Sequence, residues 1–282
     1  MKTYNVFWSG GVDSTFVVTQ LSQYPVTIRS FYVKGQTFRL SEPQEFQARK
    51  AIRELLIADP RTKAEILEPE IIEANDPRVK DREIINAARR IHIRILENYK
   101  AAHAGKLPQA GTQQIYVDKA YFPSQNTVNA SLAKYYNETF EMGTLLYDFN
   151  KHPAFGFEYV IKHDDTTDRD VLYLDEDRCS DEDKKIIYRH LSFPIIGQKM
   201  NKPDVWQWYT DHGYEAVRAK TNFCQAPVFT GGDVEPCGIC TACIGVIQDG
   251  LLEPFTEAGL ARYRDYVENH EKEPERFRLK GF

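Results

Sequence analysis

Ser9-Gly10-Gly11-Val12-Asp13-Ser14-Thr15 follows directly on the extended, largely apolar run Tyr4 to Trp8. A strand that ends in two glycines and restarts as a helix aims several backbone N–H groups at one point, and the helix start adds a partial positive charge there. Such a corner suits phosphate. Gly10 and Gly11 let a ligand approach the backbone, Ser9, Ser14 and Thr15 add hydroxyls, and Asp13 stands where an N-cap or metal-bridging carboxylate would. Phe16, Val17 and Leu21 then recur at helical spacing, as a buried first helix requires. No Gly-Lys-Ser/Thr follows the glycines and the Rossmann spacing is absent, so neither of those phosphate motifs applies.

Working outward, Val26 to Val33 is β-branched and aromatic and predicts the second strand, followed by a loop from Gly35 to Ser41. Pro43 to Ile57 fits an amphipathic helix with Phe46, Ile52, Leu55 and Leu56 on one side. Strand, helix, strand, helix opens a doubly wound α/β fold with a mainly parallel sheet, where ligands sit beyond the carboxyl ends of the strands. Ala64 to Leu67 is a short third strand, and a long helix runs from Asp76-Pro77 to about His103 with Ile84, Ile85, Ile91 and Ile95 inward. Its Arg78, Lys80, Arg82, Arg89, Arg90 and Arg94 form either a solvated, acid-paired face or a contact for an anion or subunit. Gly105 to Pro108 breaks that helix and Gly111 to Tyr116 starts the next element. Asn126 to Phe149 reads as helix, Phe157 to Lys162 and Val171 to Leu174 as strands around an acidic turn at residues 164–168. Asp181 to Leu191 and Asn201 to His212 read as helices, and Glu268 to Lys280 as an exposed charged tail.

The composition, 42% hydrophobic and 27% charged over 282 residues, is that of a globular protein, and its net charge of −5 offers no global attraction to nucleic acid. No apolar run approaches the roughly 20 residues of a membrane helix and none reads as a signal peptide, so the expected location is cytoplasmic. Four of the five cysteines, Cys224, Cys237, Cys240 and Cys243, are spaced C-x12-C-x2-C-x2-C. In a reducing compartment such a group predicts a metal, and four thiolates with no open position suit a structural zinc more than an iron-sulfur cluster. The fifth, Cys179, lies among acids that would not lower its pKa and reads as a bystander.

The Ser9 to Thr15 stretch resembles the SGGxDS signature of the PP-loop ATP pyrophosphatases, which cut ATP between its α and β phosphates. Combined with the cysteine group, which closes on Cys237-Gly238-Ile239-Cys240-Thr241-Ala242-Cys243, it resembles the 7-cyano-7-deazaguanine synthases (QueC-like enzymes). Phe193-Pro194-Ile195-Ile196, Lys199, Lys202 and Thr221-Asn222-Phe223-Cys224 look like that family's segment before the first cysteine. The spacer Gln225 to Pro236 is longer than usual there, and residues 60 to 190 carry little of the likeness.

The resemblance implies an ATP-binding HUP-type domain over residues 1–220 with a zinc-bearing segment over 221–282. It implies ATP, Mg²⁺ and Zn²⁺ as cofactors, and adenylation of 7-carboxy-7-deazaguanine followed by amidation with ammonia towards the amide or nitrile. Ser9, Gly10, Gly11, Val12, Asp13, Ser14 and Thr15 would hold the nucleotide. Asp13, Lys199 and Lys202 would be catalytic. The expected partners are a deazapurine and ammonia, with neither membrane nor nucleic acid, and a homodimer is compatible. An RNA thiolase that uses Cys179, or a zinc-stabilised nucleotide-binding module without chemistry, are the alternatives.

Overall fold

The computed structural model describes residues 1–35, 41–102, 125–145, 156–230 and 233–277. Its frame is one mixed α/β layer structure around an eight-stranded, mostly parallel sheet. The strands are β1 (Thr3–Phe7), β2 (Thr27–Lys34), β3 (Glu65–Ile66), β4 (Glu70–Glu73), β5 (Phe140–Glu141), β6 (Tyr159–Asp164), β7 (Arg169–Leu174) and β8 (Leu191–Phe193). Their spatial order is β3-β2-β1-β5-β8-β7-β6, with β4 also pairing β2 farther along the same partner. Every pair from β3 to β8 is parallel, while β7 and β6 close one side as an antiparallel hairpin. From β1 the chain first builds to one side and later to the other. The carboxyl end of β1 is therefore the switch point at which such sheets open a crevice.

Side-chain alternation along the central strands produces two cores. Tyr4, Val6, Trp8, Val26 and Ile28 face α1 (Val12–Ser22), α2 (Glu42–Ala58) and α7 (Lys202–Asp211). Phe7, Phe31 and Val33 face α3 (Arg82–Ala102), α4 (Gln125–Tyr136) and α5 (Glu182–Tyr188). Burial on both faces explains why these strands are nearly continuous in apolar residues. Two short helices, α6 (Pro194–Gly197) and α8 (Glu215–Arg218), flank α7. The remaining elements are a hairpin of β9 (Val228–Thr230) and β10 (Asp233–Glu235), then α9 (Thr241–Gln248) and α10 (Glu257–Asn269).

Several expected elements differ. The helix expected over 126–149 stops at Tyr136, where Asn137 takes a left-handed φ of 53° and redirects the chain into β5, at the centre of the sheet. The helix expected to Leu191 ends at Tyr188 so that Leu191–Phe193 can form β8 beside β5, and Pro194 opens a short helix directly after it. The long helix begins at Arg82 after a 3₁₀ turn at Pro77–Val79. Ile84 and Ile91 are fully inward while Ile85 and Ile95 are half-buried. Of the basic residues there, Arg90 and Arg94 pair with Asp183, Arg94 also with Asp181, and Arg78 with Glu70 and Asp76. Much of that charge thus serves to dock α5 and β4. Of the expected charged tail, Glu268 and Asn269 end the helix of 257–269, a 3₁₀ turn follows at Pro274–Phe277, and 278–280 lie outside the described residues. The break at 105–108, the element at 111–116, residues 36–40 of the loop and the segment 146–149 lie outside the described residues.

Two polar contacts knit the sheet across strands. Arg169 of β7 forms a two-pronged ion pair with Glu141 of β5 at 2.8 and 3.2 Å, with side chains 2% and 6% exposed. Removing one partner of such a pair strands a buried charge, at a cost of about 3–5 kcal/mol. Arg169→Met should therefore lose about that much in urea unfolding, and the double change Arg169→Met/Glu141→Gln should recover most of it. Asp164, the last residue of β6, accepts from the Tyr4 hydroxyl, Lys2 and Thr167. Burial alone would raise its pKa, but these hydrogen bonds hold it at about 2, against an ordinary 3.8. A depressed carboxyl stabilises the fold above the ordinary value and loses that contribution as pH falls through the folded one. The Asp164→Asn protein should accordingly show a shallower loss of thermal stability than wild type between about pH 4 and pH 2.

Candidate active site and metal centre

The turn after β1 is tied down mostly by its own atoms. The Ser9 N–H donates to Ser14 Oγ at 3.2 Å, the two serine hydroxyls lie 3.1 Å apart, the Gly11 N–H donates to Ser9 Oγ and Ser14 Oγ donates to the Gly11 carbonyl. Ser14 is buried and its hydroxyl serves the turn itself. Thr15 is fully buried and accepts from the Trp8 indole N–H at 3.0 Å. Gly11 caps α1 with an extended φ of −75°, and no side chain caps the helix. The first-turn N–H groups of Val12, Asp13 and Ser14 thus lack the carbonyl partner that later helical residues enjoy.

Close approach of backbone sets the shape of this corner. Gly10 has φ of 83°, and a Cβ there would lie 2.8 Å from the Glu45 carbonyl and 3.1 Å from Arg49 Cγ in α2. No other residue type fits on either count. A Cβ on Gly143, just past β5, would meet the Ser14 nitrogen at 2.5 Å, so the strand after the switch point presses against the start of α1. The Asn222 N–H donates to the Gly10 carbonyl at 2.9 Å and the Tyr209 hydroxyl to the Val12 carbonyl at 3.2 Å. Segments from both halves of the chain therefore grip one turn.

Of the candidate catalytic residues, two are brought together. Lys202, at the first position of α7, places Nζ 3.1 and 3.2 Å from the two carboxylate oxygens of Asp13, with side chains 16% and 24% exposed. Lys199 lies elsewhere in contact terms. It is exposed, sits in the left-handed region at φ of 58°, and has no hydrogen bond or ion pair to the turn among the described residues. Beside the turn, a cleft of about 370 Å³ opens between the sheet domain and the cysteine segment, walled by Trp206, Arg218, Asn222, Phe223, Pro236 and Glu253. Arg218 is held there by Glu253, the Trp206 carbonyl and Thr210.

No protein-family model matches this chain, and no curated protein matches it in sequence.

The four clustered cysteines converge. Their Sγ atoms all lie within 4.8 Å of one another, and Cys224, Cys237, Cys240 and Cys243 are each at most 2% exposed. Cys237 and Cys243 sulfurs are 3.9 Å apart. Four sulfurs about 2.3 Å from a tetrahedral zinc stand about 3.8 Å apart, so the donor set fits such an ion. Backbone N–H groups of Cys237, Cys240 and Cys243 donate to the sulfurs of Cys224, Cys237 and Cys240 at 3.2, 3.3 and 3.4 Å. Such donors are what thiolates need around them, since four buried negative sulfurs are tolerable only with a cation and N–H dipoles.

The cysteine loop is built onto α10. Gly238, at φ of 80°, lies so close to the Gly259 carbonyl that a Cβ would overlap it. Arg262 donates to the Cys237 carbonyl at 2.8 Å and pairs with Glu235, which also accepts from Thr256. The group could hold a metal ion such as zinc. Metal affinity in such a site is folding free energy. Purified protein should carry one zinc per chain by elemental analysis, and Cys240→Ser should lower stability by several kcal/mol (on the order of 3–5) and release the metal. Iron with acid-labile sulfide would refute the assignment.

Sequence reasoning missed four contributors here: Gly143, the Asn222 backbone, Tyr209 and Arg49. Gly143 and Arg49 carry no motif, and their roles follow from packing alone.

Proposed function

We propose that this chain is an ATP-dependent, AMP-forming carbon-nitrogen ligase with a PP-loop, HUP-type nucleotide domain over residues 1–220 and a structural zinc in residues 221–282. The observation that carries the reading is the Asp13–Lys202 pair standing at a glycine turn whose first-turn N–H groups are unfilled, at the switch point of a parallel sheet. Backbone donors and a helix start favour phosphate, and a lysine beside them balances the charge of departing pyrophosphate. Asp13 alone is a weak cation site, but one carboxylate together with phosphate oxygens and water is the usual set for Mg²⁺. Bound Mg²⁺ would neutralise the polyphosphate. Asp13 would hold that cation, and Lys202 beside it would balance charge on a phosphate oxygen.

The acceptor class follows from the resemblance to 7-cyano-7-deazaguanine synthases. A carboxylate oxygen, as in 7-carboxy-7-deazaguanine, attacks the α phosphorus, the bond to the bridging oxygen breaks and pyrophosphate leaves. Ammonia then attacks the acyl carbon of the adenylate, a proton is lost and AMP departs, giving the amide. A second activation at the amide oxygen, with release of pyrophosphate, followed by loss of AMP and two protons from the nitrogen, would give the nitrile. The protein's part is alignment of the reactants and charge balance, and little acid or base chemistry is required. The cleft walled by Asn222 and Phe223 is the acceptor's proposed place.

An RNA thiolase would need a reactive thiol, and Cys179 does not favour that reading. It is 2% exposed in the core, its Sγ points at the Asp181 carbonyl and burial raises its pKa.

Incubation of [α-³²P]ATP with enzyme, ammonium and 7-carboxy-7-deazaguanine should release labelled AMP and unlabelled pyrophosphate, with ADP as the first product overturning the mechanism. Asp13→Ala should abolish turnover, at least about a hundredfold, while leaving the melting temperature within a few degrees of wild type.

A further inference from the structure

Arg49 is a buried charge with too few partners. It lies in the middle of α2 and is 2% exposed. Its Nε donates to the Glu45 carbonyl at 3.3 Å, and its guanidinium stacks on Tyr32, 3.6 Å from the ring centroid. Both terminal nitrogens, Nη1 and Nη2, are enclosed and have no hydrogen-bond partner among the described residues. Burial lowers its pKa to about 10, against the opposing influence of Tyr32, Glu45 and Glu42. It therefore stays charged at neutral pH.

A guanidinium has five N–H donors, and enclosing four of them unfilled is costly unless an acceptor arrives at some stage of function. Its position indicates which acceptor. The side chain lies against Gly10, whose missing Cβ would sit 3.1 Å from Arg49 Cγ. Tyr32, on which it stacks, follows Phe31, and the Phe31 carbonyl accepts from the Trp8 N–H at the carboxyl end of β1. The unfilled fork is thus at the carboxyl ends of β1 and β2, beside the glycine turn. The stack on Tyr32 fixes its plane, as two-pronged binding of an oxyanion requires and as a lysine would not provide. Glu45 is engaged by the Tyr32 and Ser41 hydroxyls at 2.9 and 3.0 Å.

We infer that Arg49 is an oxyanion-binding residue of this site, its two Nη groups closing on a phosphate of the nucleotide or on the carboxylate of the acceptor. This rests on the nucleotide-binding reading above.

The test uses the full chain and its Arg49→Met and Arg49→Lys forms, titrated calorimetrically with α,β-methylene-ATP, pyrophosphate and adenosine, and assayed with 7-carboxy-7-deazaguanine. Loss of about tenfold or more in affinity for the ATP analogue in both variants, with adenosine binding unchanged, assigns the fork to phosphate. Unchanged nucleotide affinity with KM for the acid raised about tenfold or more assigns it to the acceptor carboxylate. In either case the ligand-free Arg49→Met protein should melt no lower than wild type, because four enclosed, unfilled donors have gone. Variants that bind every probe as wild type does, with a lowered melting temperature, would show a purely structural arginine and overturn the inference alone. A wild-type chain that binds neither the ATP analogue nor pyrophosphate would overturn it together with the nucleotide reading.

Discussion

The structure turns on the contact of backbone with backbone around the start of α1. Gly10 lies under the Glu45 carbonyl and Gly143 against the Ser14 nitrogen, both closer than any Cβ would allow. Such contacts exist only where glycine stands, and interiors packed to crystal density transmit any added atom to their neighbours. α2 on one flank and the strand end after β5 on the other therefore fix where the Ser9–Ser14 turn sits. The late part of the chain attaches to the same place: Asn222 bonds to Gly10, Tyr209 to Val12 and Lys202 to Asp13. The segment leading to Cys224 is thus positioned from the turn.

The cysteine group extends that dependence. Phe223 packs both with the core around α1 and with the cluster containing the four cysteines and Phe255, and Leu251 does likewise. A metal that folds the cysteine loop would thereby also steady the residues next to Asn222, two positions before the first cysteine. Gly238 against Gly259 and Arg262 on the Cys237 carbonyl give the loop its outer support. The Cys224 to Cys237 spacer closes as the β9–β10 hairpin, with exposed Phe229 opposite Val234.

What the sequence made legible were features with a period or a motif. β1, α1, β2 and α2 carry strong alternation or helical spacing and form within a residue or two of their expected bounds, and the cysteine spacing announced a buried four-sulfur group. β5 and β8 were hidden because they have two and three residues, too few for alternation to register, although they occupy the middle of the sheet. Their placement depends on neighbours far away in sequence, and on Asn137 tolerating a left-handed turn. Lys202 is recognisable as a helix start through Pro203 and the Asn201–Asp204 capping box, but its partnership with Asp13 arises only when α7 packs on α1. Arg49 reads in sequence as one polar residue of an amphipathic helix, and only the enclosure of its fork makes it conspicuous.

Charge gives the last step. The chain carries a net −5, and around the turn acids and bases stand close together. Asp13 and Lys202 cancel each other, the first turn of α1 contributes partial positive charge, and Arg49 adds a full one that its enclosed surroundings cannot solvate. Glu45 and Glu42 lie near enough to offset that charge, but they leave both Nη groups without an acceptor. Enclosed donors without acceptors are costly in a low-dielectric corner and are satisfied by an oxyanion. Unfilled donors, more than net charge, are thus what this corner would offer an anionic small molecule.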